Sequence, residues 1–475
     1  LLPFLFFAWK FKFQVELNFS ELWWALKNSV YQSTLAAFFV IALAIPMSFG
    51  LAALQGRWRM FVCRLLLLPQ ILPVLYTALI VFTIVNPFPM GSAGIIILFS
   101  VVNLGLATVL LDQAATSKLS SLAITAEVYS LRRFKFLTKI YLPVMFADLL
   151  QIFFLVFVFC MSSFSIPLLA GDGRAVNLEI LVFEKVFIDN NWAAGFGVSL
   201  VQSIFVFAMS ALLMESAGAT GALTNTNLQP SRLLRSKFFL FLVVGFLVVY
   251  VAGYGFGLIK SLSHLKFIST FSSEILAATW FSLKCLLGFI LVNFCLLYLC
   301  LWDYIKCRRL NPALHLISLS TVVAGFAIYL FFPTSSDYDV VKLLLGASIL
   351  LFAPLFKLFV QGPLEGLSRQ LQVAEIFGLP PKSVIIEIII RQLHSTFFLW
   401  LSVLCVWFAS DYAVSRAVGI QTQTLGLMAQ GFLSSYRMQA SFLMSLIIII
   451  FSFLILVILQ FLAKAAYVAY KKSAL

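Results

Sequence analysis

At 475 residues the chain is 62% hydrophobic, with 51 Phe, a mean hydropathy of +1.06 and only 11% charged residues, an apolar share that excludes an ordinary soluble domain. Its net charge of +14 is no argument for nucleic acid, because in so apolar a chain the location of charge matters more than its sum. The expected fold is all-α, a polytopic membrane helical bundle, since lipid offers no partner to an open backbone.

The first residues, LLPFLFFAW at 1–9, are apolar but too short to span, and no basic leader or small-residue cleavage site accompanies them. They read as the tail of a truncated helix. Apolar runs at 29–54, 63–85, 94–111, 144–167 and 194–214 are each about long enough to cross a bilayer. Six more follow at 238–259, 275–301, 314–332, 343–359, 395–409 and 440–462. Counting the truncated helix, the expectation is about twelve spans.

Alternate connections are basic. Arg57, Arg59 and Arg64 form the first cluster; Lys118, Arg132, Arg133, Lys135 and Lys139 the second; Arg232, Arg235 and Lys237 the third. Lys306, Arg308 and Arg309, then Arg369, Lys382 and Arg391, then Lys464, Lys471 and Lys472 continue the alternation. The positive-inside rule places these connections, and both termini, in the cytoplasm. The opposite connections carry Asp172, Glu179, Glu184 and Asp189, and later Asp337 and Asp339, and read as the outside.

The seven Cys occur singly, without CxxC or Cys/His metal spacing, and read as small hydrophobes. His264, His315 and His394 lie in different segments, so no metal site or cofactor is expected. No GxxxxGK phosphate loop exists. Any nucleotide chemistry must come from another chain, and no enzymatic activity is expected of this one.

The chain repeats itself. AEVYSLRRFKFLTKI, starting at Ala126, aligns without a gap with AEIFGLPPKSVIIEI, starting at Ala374, so that Ala126, Glu127, Ser130 and Leu131 match Ala374, Glu375, Gly378 and Leu379 at an offset of 248 residues. Each copy lies between the fourth and fifth span of its half. Gly, Asn and Pro in SAGATGALTNTNLQPSR, 216–232, mark the join. The domain reading is a first transmembrane unit at 1–222, a cytoplasmic linker at 223–237 and a second unit at 238–475, two pseudo-symmetric six-helix halves.

On these residues the chain resembles the membrane subunits of bacterial ABC importers, whose pattern runs EAA, three residues, Gly, nine residues, then I-x-L-P. ITAEVYS, nine residues, then IYLP fits it with Ile124 at the Glu position and Ser130 at the Gly position. In the second copy, QVAEIFG, nine residues, then IIIR, Gln372 replaces Glu and Ile390 and Arg391 replace Leu-Pro, while Gly378 is kept. Two halves in one chain resemble the ferric-iron, thiamine and related importers. LLLLPQILPVLYTALIVF at 65–82, FSIPLLAGDGRAVNLEILVFEKVF at 164–187 and TLGLMAQGFLSSYRMQASFLMSLIIII at 424–450 are similar to the thiamine type.

The resemblance implies a bundle enclosing a central pathway, driven by a separate ABC ATPase dimer and fed by a periplasmic solute-binding protein at a bacterial inner membrane. The eight matched residues would contact the ATPase. Ala126 and Ala374 would permit close approach, Gly378 a turn that a side chain would obstruct, and Leu131 and Leu379 apolar anchoring. Arg132, Arg133 and Lys135 would meet either lipid phosphate or the partner.

Elsewhere, GYGFG at 253–257 lies in an apolar span and reads as close helix packing rather than a phosphate loop. Pro69 and Pro73 within a span imply a kink, a cavity lining or a hinge. Lys284 and Lys357 near span ends read as snorkelling side chains. Asp411, with Ser163 or Ser165 as its first-half counterpart, is a candidate for the substrate pathway or an outer gate; capping of a helix end is the equal alternative.

The expected function is a permease subunit that passes a small cationic solute, thiamine or ferric iron among the candidates, with no nucleic-acid partner. The alternative is a secondary transporter built from repeats, which would call for intramembrane acids. A polytopic enzyme would need converging His, Asp or Glu at a membrane face, and none is found.

Overall fold

In helix α1, Phe19–Leu51, the buried positions are mostly small, Ala25, Ser29, Ala36, Ala37, Val40 and Ala44, whereas Trp24, Tyr31, Phe38 and Phe39 are exposed. Small residues inside and large apolar ones outside suit a helix in lipid, where close backbone approach rather than hydrophobic burial drives packing. Asn18 caps the helix by accepting from the Ser20 N–H at 3.2 Å.

The computed structural model describes residues 18–72, 74–216, 233–262, 270–307, 321–332, 335–435 and 437–473. The predicted helix remnant at 1–9, most of the linker, Pro73, His264 and His315 lie outside these residues. After α1 come α2, Gly56–Leu66; α3, Val74–Ile84; α4, Ser92–Val128; α5, Arg133–Met161; α6, Ser165–Ala170; α7, Leu178–Phe183; and α8, Trp192–Ser216. The second series is α9, Lys237–Leu262; α10, Ser272–Cys307; α11, Thr321–Phe331; α12, Asp339–Leu355; α13, Ser368–Ile376; α14, Arg391–Ser410; α15, Ala413–Ala417; α16, Leu425–Ser434; and α17, Met438–Ser473.

No strand occurs among the described residues. Eight helices there are long and apolar enough to cross a membrane, or ten if each of two bent pairs is one span. The fold is therefore an all-α bundle of a multi-pass membrane protein. The bent pairs, Gly56–Gln70 with Val74–Ile84 and Pro381–His394 with Thr396–Ser410, correspond to the predicted spans 63–85 and 395–409. Pro69 sits in the short helical turn Leu68–Ile71 between α2 and α3, so the LPQILP stretch marks a break, as expected of proline within a span. Of the predicted span 314–332 only α11 is described, too short alone to cross.

Most of the described elements of the two halves correspond. At an offset near 248 residues, α1 matches α10, α3 matches α11, α5 to α8 match α14 to α17, and α4 matches the run from α12 to α13, which is interrupted by a π-helical turn, Phe356–Gln361, just after Pro354. Local bonds repeat as well. Ser29 in α1 accepts from the N–H of Leu178 at 2.9 Å, and Ser282 in α10 from that of Leu425 at 3.1 Å.

By contacts the chain forms two compact units, residues 16–189 with 197–260, and residues 190–196 with 261–475. The sequence reading opens the second half at 238, but α9 packs with the first-half helices. Thr77 bonds Tyr250 at 3.0 Å, Tyr76 meets Tyr254 edge-to-face at 4.9 Å, and Gly253 lies against Ile80 and Ile84. GYGFG is thus a packing surface. In the other unit Phe289 stacks on Phe408 at 4.3 Å, and Trp400 is buried edge-on against Phe352. Cys160, Cys285 and Cys405 are buried; Cys295 and Cys307 are exposed, so the reading of every Cys as a buried hydrophobe holds for only part of the set.

Candidate functional site

Helix α4 has 37 residues, about 55 Å of helix against a hydrocarbon layer about 30 Å thick. Its charged residues, Asp112, Lys118 and Glu127, all lie in its second half, so the surplus length of the helix falls toward the end that carries Ala126 and Glu127. There the chain turns. The Ser130 N–H donates to the Glu127 carbonyl at 2.9 Å and that of Leu131 to the Ala126 carbonyl at 3.0 Å, with Ser130 left-handed at φ +50°. Arg132 is extended, and α5 begins at Arg133.

The second copy has the same geometry. Gly378 donates to the Glu375 carbonyl at 2.9 Å and Leu379 to the Ala374 carbonyl at 3.0 Å; Gly378 has φ +65°, Pro380 is extended, and helix resumes at Pro381. Both are Schellman caps, in which the left-handed residue and the one after it satisfy carbonyls at the helix end. A π-helical turn then follows in each, Leu137–Tyr141 and Val384–Ile390. The eight matched residues therefore occupy the four backbone positions that define each cap.

Their side chains play other parts than the sequence suggests. Ala126 and Ala374 are buried. Leu131 is half-buried and Leu379 exposed. The tips instead present an aliphatic and an aromatic residue, Val128 at 77% and Tyr129 at 76% exposure in the first copy and Ile376 at 82% and Phe377 at 76% in the second. Sequence comparison of the two copies carries that signal, since Val–Tyr and Ile–Phe are alike in kind. Arg132, Lys135 and Lys139 follow the first turn in sequence, and Arg369 precedes and Lys382 and Arg391 follow the second, all exposed.

Asp411 follows the last residue of α14. Its two carboxylate oxygens accept from the backbone N–H groups of Ala413, at 3.0 Å, and Val414, at 2.9 Å, which cap α15. Burial pushes its carboxyl up to about 6, opposed by those two donors. Ser163 occupies the matching break after α5, where its carbonyl accepts from Asn177 at 3.4 Å, and Ser165 opens α6. Ser163 and Ser165 belong to one compact unit and Asp411 to the other.

Buried ionisable groups were not legible as sites. Asp112 of α4 is held by Arg59 of α2 at 2.6 Å, and Thr116 accepts from the same guanidinium at 2.9 Å. Lys118 of α4 donates to both oxygens of Asp148 in α5, each at 2.8 Å. Glu179 is buried and accepts from Gln202 at 2.7 Å. In the second unit Asp339 and Lys342 are both buried, their charged atoms 3.8 Å apart, and Asp339 accepts from the N–H groups of Gln421 and Thr422. The signal missed was length: α4 runs on to Val128, so residues counted as a connection are helical and packed.

Comparison of the chain with known protein families, with curated proteins and with solved structures gives no match.

Proposed function

We propose that the chain is the membrane-spanning permease subunit of an ATP-driven importer at a bacterial inner membrane. The observation that carries this reading is the pair of identically capped turns, 248 residues apart, each projecting an exposed aliphatic–aromatic pair from the end of a helix. A capped turn is a rigid tip, and two like tips suit two like grooves, as a dimeric ATPase would offer. The exposed Arg and Lys that neighbour the tips in sequence favour a cytoplasmic side for them. A periplasmic solute-binding protein and a small cationic solute complete the proposal, the latter from the exposed acids Asp172, Asp189 and Asp337 of the opposite connections.

The secondary-transporter alternative draws on intramembrane acids. Asp112 and Asp148, however, are neutralised by Arg59 and Lys118, which suits a structural role. The test is purification of the chain from its native membranes in mild detergent. The expected result is a co-purifying ATPase chain with a GxxxxGK loop, lost when Tyr129→Ala and Phe377→Ala are combined, and uptake by vesicles that requires ATP. Uptake driven by an ion gradient without ATP would overturn the proposal.

A further inference from the structure

The first turn is held from behind by the residues that lead into α9. The N–H of Leu233 donates to a carboxylate oxygen of Glu127 at 3.1 Å, and the Arg133 guanidinium donates to the Arg235 carbonyl at 2.9 Å. Residues 233–236 thus bond the turn on both sides of its left-handed residue. They also bond α1: the Ser236 N–H donates to the Phe49 carbonyl at 2.9 Å, and the Arg133 guanidinium lies 5.8 Å from the centre of the Phe49 ring. Leu234 and Ser236 are buried. A Cβ on Gly50 would collide with the Phe239 carbonyl oxygen, so the backbones of α1 and α9 touch at a point where only glycine fits.

We propose that residues 233–236 form an intrachain clasp that ties the first turn to α9, so that a displacement of the turn is passed to that helix. Glu127 then faces inward as the clasp's acceptor, and the partner meets Val128 and Tyr129. A bond to an ionised acceptor is stronger than a neutral one, and Arg133 supplies the charged donor on the other side. Ser236 continues the path, since its hydroxyl accepts from the Phe239 N–H at 3.3 Å and starts α9. Three elements, the turn, α1 and α9, are joined within four residues.

The inference rests on the importer reading for the source of the displacement, but the clasp itself is tested without it. Hydrogen exchange is measured on the full chain in lipid nanodiscs. Combining Glu127→Ala with Arg133→Ala should speed exchange at the amides of 233–236 by about tenfold or more, the loss of bonds to charged groups. Glu127→Gln, which keeps an acceptor oxygen, should retain most of the protection and serves if the double variant does not fold. Unchanged exchange at 233–236 in the Ala variants would overturn the clasp. In native membranes Glu127→Ala should keep any co-purifying ATPase and lower uptake per ATP hydrolysed; loss of the ATPase would place Glu127 at the partner instead and overturn the assignment. Absence of an ATPase from the wild type would sink the importer reading, with the exchange result still deciding the clasp.

Discussion

At Ser130 and Gly378 the same left-handed backbone is built with different residues. A side chain there costs roughly 1 kcal/mol, because its Cβ crowds the following carbonyl. Ser130→Gly should therefore raise stability by about 0.5–1 kcal/mol and Gly378→Ala lower it by about 1 kcal/mol, read as shifts of opposite sign in the thermal-unfolding midpoint. Nothing lies within 4 Å of a Cβ placed on Gly378, so the requirement is conformational rather than one of space. Asn, which tolerates the left-handed region, should be milder there than Ala. A larger loss for Asn would point to a contact instead.

Asp411 gives a second residue-scale prediction. Its folded pKa of about 6 stands above the ordinary 3.8, so between those values the folded chain binds a proton that the unfolded chain releases. The group's contribution to stability is then greatest below 3.8 and falls as pH rises toward 6. Asp411→Asn removes this dependence but loses one of the two N–H bonds. The unfolding midpoint of the variant relative to wild type should rise between pH 4 and pH 7; a constant difference would mean that burial does not disfavour the carboxylate.

At the scale of elements, the first half is cross-braced by charge. Lys118 and Asp148 join α4 to α5, and Arg59 and Asp112 join α2 to α4. Removing one partner of a buried pair leaves the other uncompensated, at a cost of about 3–5 kcal/mol, whereas replacing both by apolar residues is near neutral. Lys118→Met should therefore destabilise strongly, and adding Asp148→Leu should restore most of the loss in a double-mutant cycle. Additive losses would show that the two side chains act separately. At α1 and α9, Gly50→Leu should disrupt docking of the two helices, because the carbonyl of Phe239 occupies the space; lost protection of α9 amides in hydrogen exchange is the measurement.

For the whole molecule, the two tips are alike in backbone geometry but differ in how far their acidic residues are covered. Glu127 is half-buried beneath the clasp, while Glu375 is exposed. On the importer proposal, Tyr129→Ala and Phe377→Ala should each weaken retention of the proposed ATPase, and the pair together should abolish it. Retention by the double variant would mean that the exposed aromatic residues are not the contact.

Much of this was legible in the sequence for a simple reason: crossing lipid demands long apolar helices with internally satisfied backbones, and that demand is written locally. The spans, the all-α class and the 248-residue repeat are properties of residue order. The cap, too, is local, since its bonds join residues at most five apart. What only tertiary structure decided depends on residues far apart. Packing against α3 and the end of α1 places α9 with the first half, although chain order places it with the second. Ala126 and Glu127, which identify the motif, turn inward, and Val128 and Tyr129 turn out. A helix repeats every 3.6 residues, so the motif and its exposed neighbours occupy different faces of one turn, and which face is covered is decided by the segments that pack there.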